Sequence, residues 1–120
     1  QKIAQRVLDF VKNNQEILSA KRVGDKLYMT KIPYDIEAYL DANSEIEKAY
    51  YACHCPFARE AVKKEEVKIS SNWCYCSGGF EKYMFDVIFD QELKVTVLEN
   101  ALDYDGKCRF EIDISTVNFK

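Results

Sequence analysis

An α+β fold, with helices packed on an antiparallel sheet, is predicted by two kinds of periodicity in the sequence. Apolar residues recur at helical spacing near the start of the chain and again over residues 80–88. From Leu93 the period changes to two, which is typical of strands with one buried face. Because 120 residues is the length of a single domain, we expect residues 1–120 to form one α+β unit that ends in a helix and a β-hairpin.

The first third of the chain predicts helices around one hairpin. In order, its segments are a helix over 2–18, β-prone runs over 21–23 and 26–31, a short helix over 35–40 and a polar loop over 41–45. Gly24 and Asp25 separate the two β-prone runs and predict the hairpin turn. Pro33 ends the second run because proline cannot donate a backbone hydrogen bond.

The middle of the chain predicts a strand-to-helix unit that occurs twice. Residues 46–55 are β-prone, and Pro56 fits the first turn of the helix that follows. Residues 67–76 begin with a second β-prone run, and Ser77 is the expected N-cap of the next helix. The apolar stripe of that helix is Phe80, Tyr83, Met84, Val87 and Ile88.

The end of the chain predicts an antiparallel hairpin with one buried face. Its alternating apolar residues are Leu93, Val95 and Val97 in the first strand and Cys108, Phe110, Ile112 and Ile114 in the second. The sequence DYDG at 103–106 is the expected turn between them.

Composition and charge exclude some classes of protein. No apolar run approaches the roughly 20 residues that cross a bilayer, so no membrane span is expected. A net charge of −3 argues against a nucleic-acid-binding surface. Five cysteines, an odd number, fit a reducing cytoplasm, where clustered cysteines more often bind metal than form disulfides. The chain opens on Gln1 rather than methionine, which is consistent with the C-terminal part of a longer protein.

The two Cys-x-Cys pairs, CHC at 53–55 and CYC at 74–76, suggest a metal site. Four thiolates can hold Zn²⁺ tetrahedrally, and a histidine or a further cysteine can replace one of them. We therefore expect zinc as a hypothetical cofactor, with the candidate ligands Cys53, Cys55, Cys74, Cys76, His54 and Cys108. Buried structural thiols and redox-active thiols are the alternatives that the spacing leaves open.

Aromatic residues concentrate around the same segments. Most of them should belong to the core, yet a concave aromatic wall beside the cysteines would suit a hydrophobic ligand. Arg59, in the first turn after CHCP, could hold a carboxylate of that ligand, although a surface ion pair is the simpler interpretation. The candidate ligand-binding residues are Trp73, Tyr75, Phe80, Tyr83 and Arg59.

The second half of the chain resembles the 4-vinyl reductase type of small-molecule-binding domain. The segments that carry the resemblance are WCYCSGGFEKYMFDVIF at 73–89 and GKCRFEI at 106–112. The motifs CHCPFARE and WCYC are also similar to uncharacterised bacterial and archaeal proteins named after an amino-thiazoline carboxylate hydrolase family. The resemblance implies an α+β fold related to haem-NO-binding domains, a pocket for a hydrophobic molecule, and cysteines that act as metal ligands. Residues 1–45 do not take part in it.

The function that we predict is a small-molecule-binding or sensory domain with a zinc-binding cysteine cluster beside an aromatic pocket. The expected ligand is hydrophobic or bears a carboxylate. One alternative is a metal- or thiol-dependent hydrolase, in which Cys53 or Cys55 attacks the substrate and His54 acts as the base. Another is an interaction domain without metal that forms a homodimer through its first helix.

Overall fold

The computed structural model describes residues 2–64 and 69–119, and within them the predicted α+β class is confirmed. One four-stranded antiparallel sheet has the order β1-β2-β4-β3. The strands are β1 Lys21–Val23, β2 Lys26–Thr30, β3 Lys94–Glu99 and β4 Arg109–Asp113. The helices are α1 Lys2–Lys12, α2 Gln15–Leu18, α3 Ile36–Leu40, α4 Glu45–Ala52, α5 Pro56–Lys63 and α6 Tyr75–Phe89, with short 3₁₀ helices at Ser71–Cys74 and Ala101–Asp103.

Strand β4 lies in the middle of the sheet and supplies the centre of the core. Phe110 and Ile112 are completely buried, and Ile112 lies opposite Leu27 on β2 and Val95 on β3. The side chains between them along β4 are only half-buried. The alternation over the last strand therefore did mark one buried face. The predicted terminal hairpin of β3 and β4 is confirmed, and a 3₁₀ helix at Ala101–Asp103 lies in its connection.

The predicted hairpin of β1 and β2 is also present. Gly24 takes a positive φ of 59° in the turn, a conformation that glycine adopts without a steric penalty. The helix predicted over 2–18 is instead two helices. Asn14 separates them in an extended conformation, and its side-chain amide donates to the carbonyl oxygen of Phe10, which is the kind of local hydrogen bond that competes with a continuing helix.

The strand predicted over 46–55 is wrong, because this segment forms helix α4 and an extended link, Cys53 to Cys55, to α5. Ser44 explains the helix, since its hydroxyl oxygen accepts from the backbone N–H of Glu47 at 3.1 Å. The Glu47 carboxylate in turn accepts from the backbone N–H of Asn43 at 2.8 Å. These reciprocal bonds resemble a capping box, which stabilises the first turn of a helix. Here the cap outweighs the β-propensity of the residues that follow it.

The second predicted strand-to-helix unit differs from the structure at the start of its helix. Its short β-prone run begins at residues 67–68, which lie outside the described part of the chain, and residues 71–74 form a 3₁₀ helix. Ser70 caps this turn by accepting from the backbone N–H of Asn72 at 3.2 Å. Helix α6 follows directly from Tyr75, so Ser77 lies inside it and is not its N-cap. Pro56, by contrast, opens α5 as predicted.

The outward face of α6 differs from the expectation that most nearby aromatics belong to the core. The predicted stripe exists, but its five side chains point to solvent, and Phe80 is 75% exposed. The opposite face contacts the sheet at Gly78, where an added Cβ would lie 3.3 Å from a methyl of Val95 and 3.5 Å from the ring of Phe110. The absence of a side chain at Gly78 therefore sets how closely α6 approaches the sheet.

Gly78 and its neighbour Gly79 offer a matched pair of substitutions. Replacing glycine by alanine inside a helix normally stabilises it by up to about 1 kcal/mol. We expect Gly79→Ala to raise the melting temperature, because a Cβ at that position meets no atom within 4 Å. We expect Gly78→Ala to lower it, because the new methyl presses against Val95 and the completely buried Phe110. Thermal unfolding followed by circular dichroism compares the two, and an equal rise in both variants would contradict the close contact.

Candidate functional site

A cavity of about 890 Å³ lies beside the inner face of the sheet and is the candidate site. Its wall comprises α2, β2, the link between α4 and α5, the 3₁₀ helix before α6, and α6 itself. Most of the lining is apolar, with Ile17, Met29 and Phe85 among its larger side chains. The exposed rings of Phe57 and Trp73, whose centroids are 6.0 Å apart, border it on one side. The volume lies within the range of pockets that enclose small organic molecules.

All of the cysteines and the single histidine line this cavity. Cys53 and Cys55 come from the link between α4 and α5, Cys74 and Cys76 from the start of α6, and Cys108 from the residue before β4. The fold therefore brings together side chains that are far apart in sequence. All five thiols are free, and Cys53, Cys74 and Cys108 are buried.

Burial decides the chemistry of the three inner thiols. It raises the pKa of the Cys53 thiol to about 11 and that of the Cys74 thiol to about 12, and it also raises the pKa of Cys108. The thiols reinforce the effect, since a charge on Cys108 would repel one on Cys53 or Cys74. At neutral pH these three side chains are therefore protonated, and a thiol is a far weaker nucleophile than a thiolate.

His54 is held by its surroundings rather than by a cysteine. Its Nε2 lies 2.6 Å from the carbonyl oxygen of Ile32, so Nε2 carries the proton that this bond requires. The ring packs edge-on against Tyr34, with centroids 5.4 Å apart. The nearby Cys53 thiol donates instead to the carbonyl of Cys55 at 3.7 Å. The described contacts therefore fix the orientation of the His54 ring at the cavity wall.

Lys31 supplies a positive charge to the cavity wall. Its ammonium lies 3.5 Å from a carboxylate oxygen of Glu81, 3.4 Å from the hydroxyl of Ser77 and 5.5 Å from the centre of the Phe80 ring. The side chain is only 14% exposed. Its backbone N–H donates to the carbonyl of Cys108 at 2.8 Å, which fixes the start of the side chain beside the inner thiols.

Two of the five predicted ligand-binding residues line the cavity, and three do not. Trp73 and Phe80 line the cavity, whereas Tyr75, Tyr83 and Arg59 lie outside its lining. The guanidinium of Arg59 packs over the rings of Tyr34 and Tyr50, 4.6 Å from each centroid. Arg59 thus braces α5 against α4, and its role in ligand binding stays a prediction.

Several lining residues were missed by the sequence analysis. Met29 and Lys31 both lie within the predicted run 26–31, on the face that alternation with the buried Leu27 assigns to the sheet interior. That alternation could have found both residues. The place of Phe85 in the lining could not have been found in the same way, because it depends on how α6 crosses the sheet.

Zinc does not fit the side chains as they are arranged. Within residues 2–64 and 69–119, no three or more of the His, Cys, Asp and Glu side chains form a group that could hold a metal ion. Zinc therefore stays a prediction, which elemental analysis of protein purified without added metal can test.

The comparisons with known proteins define the family of this chain. Residues 34–118, well over half of the sequence, match a family of unknown function, DUF6144, and the chain belongs to that family. The matched region contains all five cysteines, α5, α6 and the terminal hairpin, but not α1, α2 or the first hairpin. The chain matches no curated protein and no solved structure. The resemblance to 4-vinyl reductase domains accordingly stays a prediction.

The raised thiol pKa values predict a loss of stability in alkali. Cys53 and Cys74 hold their protons to about pH 11 and 12 in the folded protein, whereas an exposed thiol loses its proton near 9. The unfolded chain therefore binds fewer protons above pH 9, and the free energy of unfolding should fall as the pH rises towards 12, by about 1.4 kcal/mol for each unit of pKa difference. Urea denaturation at neutral pH and above pH 9 measures this fall.

Substitutions separate the thiols from the other groups that titrate in alkali. Cys74→Ala should make the free energy of unfolding less dependent on pH above pH 9. Cys76→Ala removes an exposed thiol, so this variant should show the same pH dependence as the unsubstituted protein. Equal pH dependence in both variants would show that the buried thiols do not carry the effect.

Proposed function

We propose that this protein binds a hydrophobic small molecule that bears a carboxylate. The observation that supports this most directly is the apolar cavity of about 890 Å³, whose wall holds Lys31 together with Glu16 and Glu81. Glu16 is paired with Arg109, and Glu81 with Lys31. A cavity of this kind takes up the apolar part of a ligand because burial removes that part from water, at roughly 25 cal/mol per Å². The lysine then selects among apolar molecules by charge.

Lys31 is the group that would bind the carboxylate. The Glu81 carboxylate lies 3.5 Å from the Lys31 ammonium and also lines the cavity, so a ligand carboxylate would replace Glu81 as the partner of Lys31, with the hydroxyl of Ser77 3.4 Å from the ammonium. In the low-dielectric surroundings of a mostly apolar cavity, such a charge-assisted hydrogen bond is stronger than on the surface. The apolar lining and Lys31 together suit an apolar ligand with one anionic end.

The inner thiols argue against Cys53 as the nucleophile of a thiol-dependent hydrolase. Cys53, Cys74 and Cys108 are protonated at neutral pH, and the hydrogen bond of Cys53 goes to a backbone carbonyl rather than to His54. Protonated thiols are small apolar side chains, so they add to the hydrophobic lining. Their free state fits a reducing cytoplasm, which we include in the proposal.

A sensory role follows from the same cavity. The resemblance to 4-vinyl reductase domains implies a domain that recognises a small molecule, and the apolar cavity supports that reading. Among the described residues no helix is both long and apolar enough to cross a bilayer. The rings of Phe57 and Trp73 border the cavity, and we take this side as the cavity mouth through which the ligand would enter.

Substitution of Lys31 tests the proposed carboxylate site. We expect dodecanoate to bind the protein, and Lys31→Met to weaken its binding by about tenfold to a hundredfold, the cost of losing one hydrogen bond to a charged group. Binding of dodecan-1-ol, which has the same chain without the charge, should be little changed. Isothermal titration calorimetry measures both affinities, and Trp73, the single tryptophan, reports binding by its fluorescence.

Lys94→Met is the matched control, because Lys94 is an exposed lysine of β3 that does not line the cavity. This variant should bind dodecanoate as the unsubstituted protein does. Equal weakening in both variants would assign the effect to net charge. Failure of dodecanoate and dodecan-1-ol alike to bind the unsubstituted protein would refute a cavity for apolar chains.

A further inference from the structure

Helix α6 carries large apolar side chains on its solvent-facing side as well as on its sheet-facing side, where Phe85 and Phe89 pack against the core. Its exposed residues include five large apolar side chains at helical spacing, here named the α6 stripe: Phe80, Tyr83, Met84, Val87 and Ile88. Each is more than half exposed, Phe80 at 75% and Ile88 at 62%. A surface helix normally directs such a stripe to the core and its charges to solvent.

The charged side chains of α6 lie on the opposite, sheet-facing side. Lys82 and Asp86 form an ion pair in which both side chains are less than one-fifth exposed, and Asp86 also accepts from the backbone N–H of Leu93 at 2.8 Å. Glu81 is paired with Lys31. Because these charges are already satisfied, the helix is fixed in this orientation and cannot rotate its stripe inward without breaking both pairs.

The area of the exposed surface matches what a stable protein interface needs. Phe57 and Trp73, also more than half exposed, adjoin Phe80 around the cavity and extend the stripe to seven large apolar side chains. Such side chains expose on the order of 100 Å² each at this degree of exposure. A stable interface buries about 800 Å² on each partner, and contiguous apolar patches of this size are rarely left open on a monomer.

The chemistry of the stripe favours a second copy of this chain over a membrane or a charged partner. The stripe contains no charged residue, so two copies can meet face to face without placing like charges together. A helix that lies on a membrane needs basic residues beside its apolar face, whereas the charges of α6 face the sheet and the chain carries a net charge of −3.

We propose that two copies of this protein associate through their α6 stripes, with the two helices antiparallel and Met84 at the two-fold axis. Met84 is the middle of the stripe, so an antiparallel arrangement places Phe80 of one copy against Ile88 of the other. Phe80 and Ile88 lie about 12 Å apart along the helix, a little over two turns, which is enough for side chains to interdigitate across the pair. The interface lies beside the cavity mouth, since Phe80 belongs to both.

Analytical ultracentrifugation tests the interface. We expect the unsubstituted protein at micromolar concentration to sediment as a dimer, at twice the 14.0 kDa of the chain. Val87→Glu should convert it to a monomer, because the variant buries two uncompensated charges across the axis. The control is Leu8→Glu, at a 49% exposed leucine of α1, which should remain a dimer. Circular dichroism verifies that both variants are folded, and Val87→Ser gives a milder second variant if Val87→Glu is not.

Cross-linking tests the geometry independently of the dimer's strength. Met84→Cys, in a protein whose exposed Cys76 is replaced by serine, should be linked into dimers by a short bis-maleimide, whereas Val23→Cys on β1 should not. A monomeric unsubstituted protein, or a dimer that Leu8→Glu disrupts and Val87→Glu does not, would overturn the proposal. Monomeric protein that co-sediments with phosphatidylcholine vesicles would also overturn it, and would assign the stripe to a membrane surface.

Discussion

The close contact of Gly78 with the central strand is the constraint on which the rest of the structure depends. Because residue 78 has no side chain, the start of α6 lies directly against Val95 and Phe110. Farther along, Phe85 and Phe89 pack against the second cluster of the core, around Ile112. The helix therefore crosses the sheet with one end held close, and the space between α6, β2 and the Cys53–Cys55 link remains as the cavity.

This placement of α6 also determines the two chemical properties of the molecule. On its inner side, it buries Cys74 beside Cys53 and Cys108 and keeps these thiols protonated. On its outer side, it leaves a stripe of large apolar residues in solvent while its charges are paired against the sheet. The proposed ligand and the proposed second copy thus use two faces of the same helix, which meet at Phe80.

The sequence predicted the parts of the fold that depend on local pattern. Pro56 marked a helix start, Gly24 marked a hairpin turn, and the alternation around Phe110 marked the central strand. The strand expected over 46–55 was wrong because Ser44 and Glu47 cap a helix there, a pattern that is present in the sequence and outweighs β-propensity. Periodicity also located the α6 stripe but could not tell which face the sheet covers, because that depends on long-range contacts. The repeated Cys-x-Cys spacing led us to expect the cysteines together, whereas Lys31 was not among the predicted site residues, although it shares a face of the predicted run 26–31 with Met29.

The central claim, that an apolar ligand occupies the space behind α6, is tested most directly by nuclear magnetic resonance of the two methionine methyl groups. Met29 and Met84 are the only methionines; both line the cavity, but Met29 lies on the sheet and Met84 also belongs to the exposed stripe. With ¹³C-methyl methionine, we expect nuclear Overhauser effects between the methylenes of dodecanoate and the Met29 methyl. Binding of dodecanoate without any effect at the Met29 methyl would contradict a binding cavity, whether or not effects appear at Met84.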